Sequence, residues 1–157
     1  MARVKTKTIG LILALCFSGW AACFAADPQM GTWKLNEARS KFTPGTAKFT
    51  TVTFKNMFGN IKVASDGTAA NGQRVHVEWS GKFDGKDYPV TGSPDSDARS
   101  YTKVNDRTLQ VTAKKNGKVT ATAQTVVSAD GKTRTSTVSG TTAKGKKFKN
   151  VAVYDKQ

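Results

Sequence analysis

The sequence predicts an all-β fold: a single antiparallel up-and-down meander closed into a barrel of about 8–10 strands, with little helix. Three observations predict it. Short runs rich in Thr and Val between residues 98 and 154 are cut by Asn105-Asp106, Asn116-Gly117, Asp130-Gly131 and Lys144-Gly145. Asn-Gly and Asp-Gly between alternating runs are hairpin signals, because both residues accept the positive φ of a primed turn. No stretch has the period of a long amphipathic helix; only 36–42, ahead of Pro44-Gly45, has weak helical character. The connections are short throughout, and only the stretch between Tyr88 and Ala98 offers room for a crossover. That favours a barrel over a sandwich, and closure also removes the exposed edges of a Thr/Val-rich sheet.

Each element follows from its pattern. Residues 31–35 open the fold, with Trp33 and Leu35 on one face. In 48–55, Val52 and Phe54 face one side and Thr51, Thr53 and Lys55 the other. Ile61 and Val63 mark a third strand over 60–65, which Asp66-Gly67 is expected to close. In 73–81, Val75, Val77 and Trp79 alternate with His76, Glu78 and Ser80, the pattern of a strand with one wet face. Pro89 pushes a short strand at 86–91 towards an edge or bulge. The last five strands are expected at 98–104, 107–115, 118–128, 132–140 and 146–156. Val119, Ala121 and Ala123 share a face while Val126 falls on the other, which predicts a bulge near Gln124 or Thr125.

Ahead of the barrel, Arg3, Lys5 and Lys7 precede an apolar run, and Cys23-Phe24-Ala25 suits cleavage before Ala26. Residues 1–25 are expected to be a secretory signal peptide and 26–157 one barrel domain, placed in the periplasm or secreted. A retained anchor is one alternative; another is lipidation of Cys23, since Trp20-Ala21-Ala22-Cys23 is similar to a lipobox. Cys16 and Cys23 both precede residue 26, so no disulfide is expected to staple the domain. From residue 26 onward 22 basic residues stand against 11 acidic ones, a net charge of +11. Such a charge favours anionic surfaces and says nothing of the fold.

Gly31-Thr32-Trp33 on the first strand, the meander, and the ending Val151-Ala152-Val153-Tyr154 resemble the calycins, in particular small exported bacterial lipocalin-like proteins. The resemblance implies a barrel whose strand-one Trp closes the base. In the fatty-acid-binding branch it implies an Arg-x-Tyr on the last strand that holds a ligand carboxylate. Tyr154 matches that Tyr, but Ala152 stands where the Arg would be. About a dozen residues between the first two strands also leave no room for a two-helix lid.

The candidate ligand-binding residues are Trp33, Trp79, Arg99, Tyr101, Arg134 and Tyr154. Trp33 and Trp79 read as core plugs or as cavity lining. Arg99 shares a face with Tyr101, and Arg134 with Ser136 and Val138. If Tyr101 and Val138 point inward, so do both arginines, and an anionic ligand is the partner a buried guanidinium needs; the other parity leaves both in water. His76 is the single histidine and alternates with valines, which places it on the wet face. Without clustered carboxylates or Cys it makes no zinc site, so no metal and no cofactor are expected. Ser100-Tyr101-Thr102-Lys103 matches Ser-x-x-Lys, but in a strand and without a Lys-Thr-Gly partner, so no catalytic residue is assigned. Asp84, Asp87, Asp95 and Asp97 read as turn residues rather than calcium ligands. The expected function is non-enzymatic binding of a small apolar or amphipathic ligand inside the barrel. The competing class is a basic adhesion module holding anionic envelope polymers or lipids through the lysines around 114–118 and 144–149. Nucleic acid is not an expected partner, because the basic stretches carry no interleaved aromatics for stacking.

Overall fold

The computed structural model describes residues 27–157, in which ten strands close into one antiparallel barrel. They are β1 (Gly31–Leu35), β2 (Lys48–Met57), β3 (Asn60–Thr68), β4 (Arg74–Gly81), β5 (Tyr88–Thr91), β6 (Ala98–Asn105), β7 (Thr108–Lys115), β8 (Lys118–Val127), β9 (Thr133–Thr141) and β10 (Lys147–Lys156). Each pairs with its neighbours in sequence, and β10 closes on β1 with Trp33 opposite Lys156 and Leu35 opposite Tyr154. The expected leader over 1–25 lies outside the described residues. The weakly helical 36–42 forms a single 3-10 turn, Glu37–Arg39, capped by the Asn36 side chain.

Up-and-down order puts alternate turns at opposite ends. The β2–β3, β4–β5, β6–β7 and β8–β9 turns gather at one end with residues 27–30. This end is closed. The Trp33 indole N–H donates to the Gln29 carbonyl at 3.0 Å, and Lys156 Nζ lies 5.1 Å from the Trp33 ring centroid. Phe54, Val63, Trp79, Leu109 and Val127 fill the space behind them, all essentially without exposure. Phe83, from the β4–β5 loop, packs its ring on Phe54, Trp79 and Tyr101. A close-packed apolar layer of this kind is the principal source of stability in a domain without disulfides.

The opposite end is the mouth, formed by the β3–β4, β5–β6, β7–β8 and β9–β10 turns and by the longer β1–β2 connection, whose Thr43 N–H and Thr46 hydroxyl bond to the buried Asn150 side chain at 2.8 and 2.9 Å. Register shows which residues face inward there. Val111 pairs with Ala123 and Ala113 with Ala121, while Ala123 pairs with Val138 and Ala121 with Gly140. These inward positions stay only half-buried, although Leu109, Thr125 and Val127 lower on the same strands are fully buried. The barrel is therefore packed at its base and accessible to solvent at its mouth. Outward positions carry Lys34, Lys55, Lys62, His76 and Glu78, which is not the apolar outer band of a membrane-spanning barrel.

Two local expectations are corrected. Asp66-Gly67 does not close β3; both lie in the strand, and the turn comes later, where Ala69 N–H donates to the Gln73 carbonyl at 2.8 Å. Gly67 is there because a Cβ would stand 2.6 Å from Phe49 Cα, beside a bulge in β2. The β8 bulge is not near Gln124 or Thr125 but at Thr120, which is skipped between the Ala113–Ala121 and Lys114–Val119 pairs. The extra residue secures itself, since Thr120 Oγ1 donates to the Asp95 carbonyl at 3.1 Å. Val126 simply faces outward, 40% exposed.

Candidate ligand-binding site

The barrel interior contains cations and no acids. Pairing of Arg99 with Ala113, of Tyr101 with Val111 and of Arg134 with Val127 and Tyr154 puts all four polar side chains on the inner face. The 11 acidic residues all lie at turns, in loops or at outward-facing strand positions such as Asp66, Glu78 and Asp155.

Arg134 is 5% exposed. Its Cζ sits 4.0 Å from the Phe54 ring centroid and 5.9 Å from that of Trp33, so two aromatic faces supply part of the stabilisation that water would give. Nη1 has no hydrogen-bond partner among the described residues. Burial lowers the guanidinium to about 10, while the Tyr101 and Tyr154 phenols partly offset that shift. A guanidinium so placed retains the two N–H groups of Nη1 unused and a strong preference for an anion.

Arg99 is half-buried, and its Nη1 donates to Tyr101 Oη at 3.4 Å. Its carbonyl accepts the Trp79 indole N–H at 2.8 Å, which fixes Trp79 against the wall. Tyr101 is buried in the aromatic cluster, its ring 4.5 Å from Trp79 and 6.2 Å from Phe54 between centroids. Its hydroxyl meets Arg99 and its ring lies on the same Phe54 that supports Arg134. Tyr154 is committed differently: its hydroxyl donates to the Phe49 carbonyl at 3.2 Å, and burial pushes it up to about 12. Thr125 and Ser136 add a hydroxyl pair at 3.0 Å on the inner face.

Of the six residues expected at a site, Arg99, Tyr101, Arg134 and Tyr154 share the interior. Trp33 and Trp79 are fully buried with their indole N–H groups bonded, so they form floor and wall. His76 lies outside, as its alternation implied. Its Nδ1 is 2.6 Å from Asp66 Oδ1 and its Nε2 is 3.5 Å from Glu78 Oε1. The bonded Asp66 carboxylate, then Glu78, holds its pKa above the ordinary histidine value. This pairing is hidden in the sequence by the turn-like Asp66-Gly67. Gln29 is a buried polar residue that sequence reasoning missed; both of its amide atoms lack partners among the described residues. Lying before the first strand, it has no periodicity to betray it.

No group of three or more His, Cys, Asp or Glu among the described residues is arranged to hold a metal ion. Clefts of about 400 and 480 Å³ lie on the outside at the closed end, lined by turn residues such as Asn105, Asp106, Arg107 and Ser128. Neither is lined by Arg99 or Arg134.

No protein-family model matches the sequence, and no curated protein does. Solved structures similar in outline include a redesigned beta barrel, mFAP1, bound to DFHBI. It is 16% identical at a TM-score of 0.46, over 82% of this chain and 95% of that one. A second redesigned beta barrel is 16% identical at a TM-score of 0.47, over 87% and 97% of the two chains.

Proposed function

We propose that the barrel binds a small amphipathic anion whose acid group meets Arg134 and Arg99 and whose apolar body runs towards the mouth. One observation carries the reading: two guanidinium groups face an interior that holds no carboxylate, and Arg134 keeps a buried donor without a partner among the described residues. An acid group supplies the missing acceptor and removes the penalty of an uncompensated buried charge. Val111, Ala113, Ala121, Ala123 and Val138 then offer the ligand body a wall of small apolar groups, and desolvation of that body adds affinity. Thr125 and Ser136 are within the same interior for a second polar contact. The reading is binding without a chemical step. Export by a leader over 1–25 belongs to the same proposal, supported by Arg3, Lys5 and Lys7 ahead of an apolar run and by the cleavage-compatible Cys23-Phe24-Ala25.

The test is Trp fluorescence of residues 27–157 titrated with a medium-chain fatty acid and with the alcohol of the same chain length. The acid is expected to bind at least tenfold more tightly, since a charge-assisted hydrogen bond contributes about 1.5–3 kcal/mol. Equal affinity for acid and alcohol, or no response to either and no acid in an organic extract of the purified protein, overturns the reading.

A further inference from the structure

We infer that the mouth is also a docking face, and that what it docks on is an anionic lipid surface. The charge of the domain is unevenly placed. The β7–β8 and β9–β10 turns both lie at the mouth, where residues 114–118 and 142–149 carry seven lysines and no acid; the acids of this end are Glu37, Asp95 and Asp97, in the β1–β2 and β5–β6 connections, and Asp97 Oδ2 accepts the Asn116 N–H at 2.8 Å. Lys114 pairs with Asp87 at 2.6 Å. Lys115, Lys118, Lys144, Lys146, Lys147 and Lys149 have no ion-pair partner among the described residues, and all but half-buried Lys115 are exposed. The closed end is different, because there Lys82, Lys86, Lys103, Arg107 and Lys132 are interspersed with Asp27, Asp84, Asp106 and Asp130. The field of the molecule therefore points out through its mouth.

The shape of this face selects among anionic partners. The two lysine-bearing turns cap neighbouring hairpins and stand roughly 10 Å apart, two strand spacings along the sheet. They form a blunt rim of turn tips around an accessible interior, which suits a plane of headgroups. A single polyanion strand needs a groove to follow or exposed aromatics to stack on, and Phe148, the aromatic of this rim, turns inward, its Cζ 2.9 Å from where a Cβ on Gly140 would lie. Lysines on flexible stems at a rim reach headgroup phosphates without ordering the backbone. Docked this way, the barrel faces the source of an amphipathic ligand with its open end, so that transfer needs no passage through bulk water. The docking rests on the charge pattern and the shape of the rim; only this last consequence rests on the interior reading above.

The experiment is co-sedimentation of residues 27–157 with vesicles of phosphatidylcholine alone and of phosphatidylcholine with about one-third phosphatidylglycerol, at roughly 0.02 and 0.2 M salt. Two charge-matched variants are compared: Lys144→Glu/Lys146→Glu/Lys147→Glu at the mouth and Lys82→Glu/Lys86→Glu/Lys132→Glu at the closed end. All six side chains are exposed, so circular dichroism is expected to be unchanged. Binding to anionic vesicles at low salt is expected, with a loss on the order of a hundredfold in the mouth variant, about fivefold per lysine. The closed-end variant is expected to lose less than about fivefold. Equal losses in the two variants mean that net charge rather than a face is responsible, and overturn the proposal. So does retention on heparin without binding to anionic vesicles, or equal binding to neutral ones. The readout needs no interior ligand, so its failure leaves the acid-binding reading standing.

Discussion

Arg134 is where stability and binding pull in opposite directions. Taking a guanidinium out of water costs several kcal/mol, whereas stacking on Phe54 and Trp33 returns about 2 kcal/mol and Nη1 makes no hydrogen bond among the described residues. Arg134→Met, similar in volume and free of charge, is therefore expected to raise the stability of the ligand-free barrel by about 1 kcal/mol or more. It is expected to remove the preference for acid over alcohol at the same time. Urea denaturation and the paired titration measure the two effects; destabilisation with the preference intact means that Arg134 is only a brace for the base. The pH dependence has a definite sign. Burial holds Arg134 down at about 10, so the cation is present below that pH and lost above it. Acid binding is expected to be level from neutrality to about pH 9 and to fall as pH rises through about 10, with no such fall for the alcohol. His76 behaves oppositely and outside the barrel. Asp66 and Glu78 raise its pKa, so its contribution to stability is present below the unfolded value and fades as pH rises through the folded one. An NMR titration is expected to place His76 above the ordinary histidine value and to bring it down in Asp66→Asn.

At the scale of elements, the strands are legible in the sequence wherever a turn dipeptide and alternation agree. Asn116-Gly117 is such a place, both residues taking positive φ, 50° and 74°. What was hidden is long-range. Gly67 is glycine because the β2 bulge passes close by, and no local pattern distinguishes that from a turn. The β8 bulge sits at Thr120 because the Asp95 carbonyl waits there to accept its hydroxyl. Inward parity for Arg99 and Arg134 was legible as one of two choices; the choice is made by Tyr101 and Tyr154, whose rings have nowhere to go but inside. Two turn positions test the backbone argument. Gly92 has φ +74° at the start of the β5–β6 loop, and a Cβ there would collide with the His76 carbonyl. Gly92→Ala is expected to cost more than about 2 kcal/mol, strain and collision together. Phe58 is the converse, a bulky residue at φ 51° with its ring fully in solvent. Phe58→Asn is expected to stabilise by about 0.5–1 kcal/mol, because Asn tolerates the left-handed region and no packing is lost. Chemical denaturation of both variants checks the pair, and a stability loss in Phe58→Asn would show a contact at that tip which the barrel itself does not make.

On the scale of the whole molecule, every strand pairing but one is between sequence neighbours, and the exception, β1 with β10, joins the two ends of the barrel. Gln157 N–H donates to the Thr32 carbonyl at 3.0 Å, so the last residue lies beside the first strand. If closure matters and the order of strands along the chain does not, the barrel tolerates new ends wherever a turn is exposed and makes no long-range contact. The Asp130-Gly131 turn at the closed end meets that condition, with the Asp130 side chain bonded, among the described residues, only to Ser128 and Lys132. A permutant that joins residue 157 to residue 27 through a short Gly/Ser linker and opens between Asp130 and Gly131 is expected to keep the β-sheet circular dichroism and cooperative unfolding of the parent. Its stability is expected to fall by no more than about 1–2 kcal/mol, the scale of changing one loop closure. Opening the chain inside β5 is a sharper demand, because that strand holds its place with only two residue pairs on each side, Glu78–Thr91 and Trp79–Val90 against Tyr88–Arg99 and Pro89–Ala98. New ends at Pro89 are expected to unzip the wall between Trp79 and Arg99, exposing Trp79 and shifting its fluorescence to the red. A permutant opened at Pro89 that is as stable as the one opened at Asp130 would show that β5 is a covering segment rather than a member of the closed sheet.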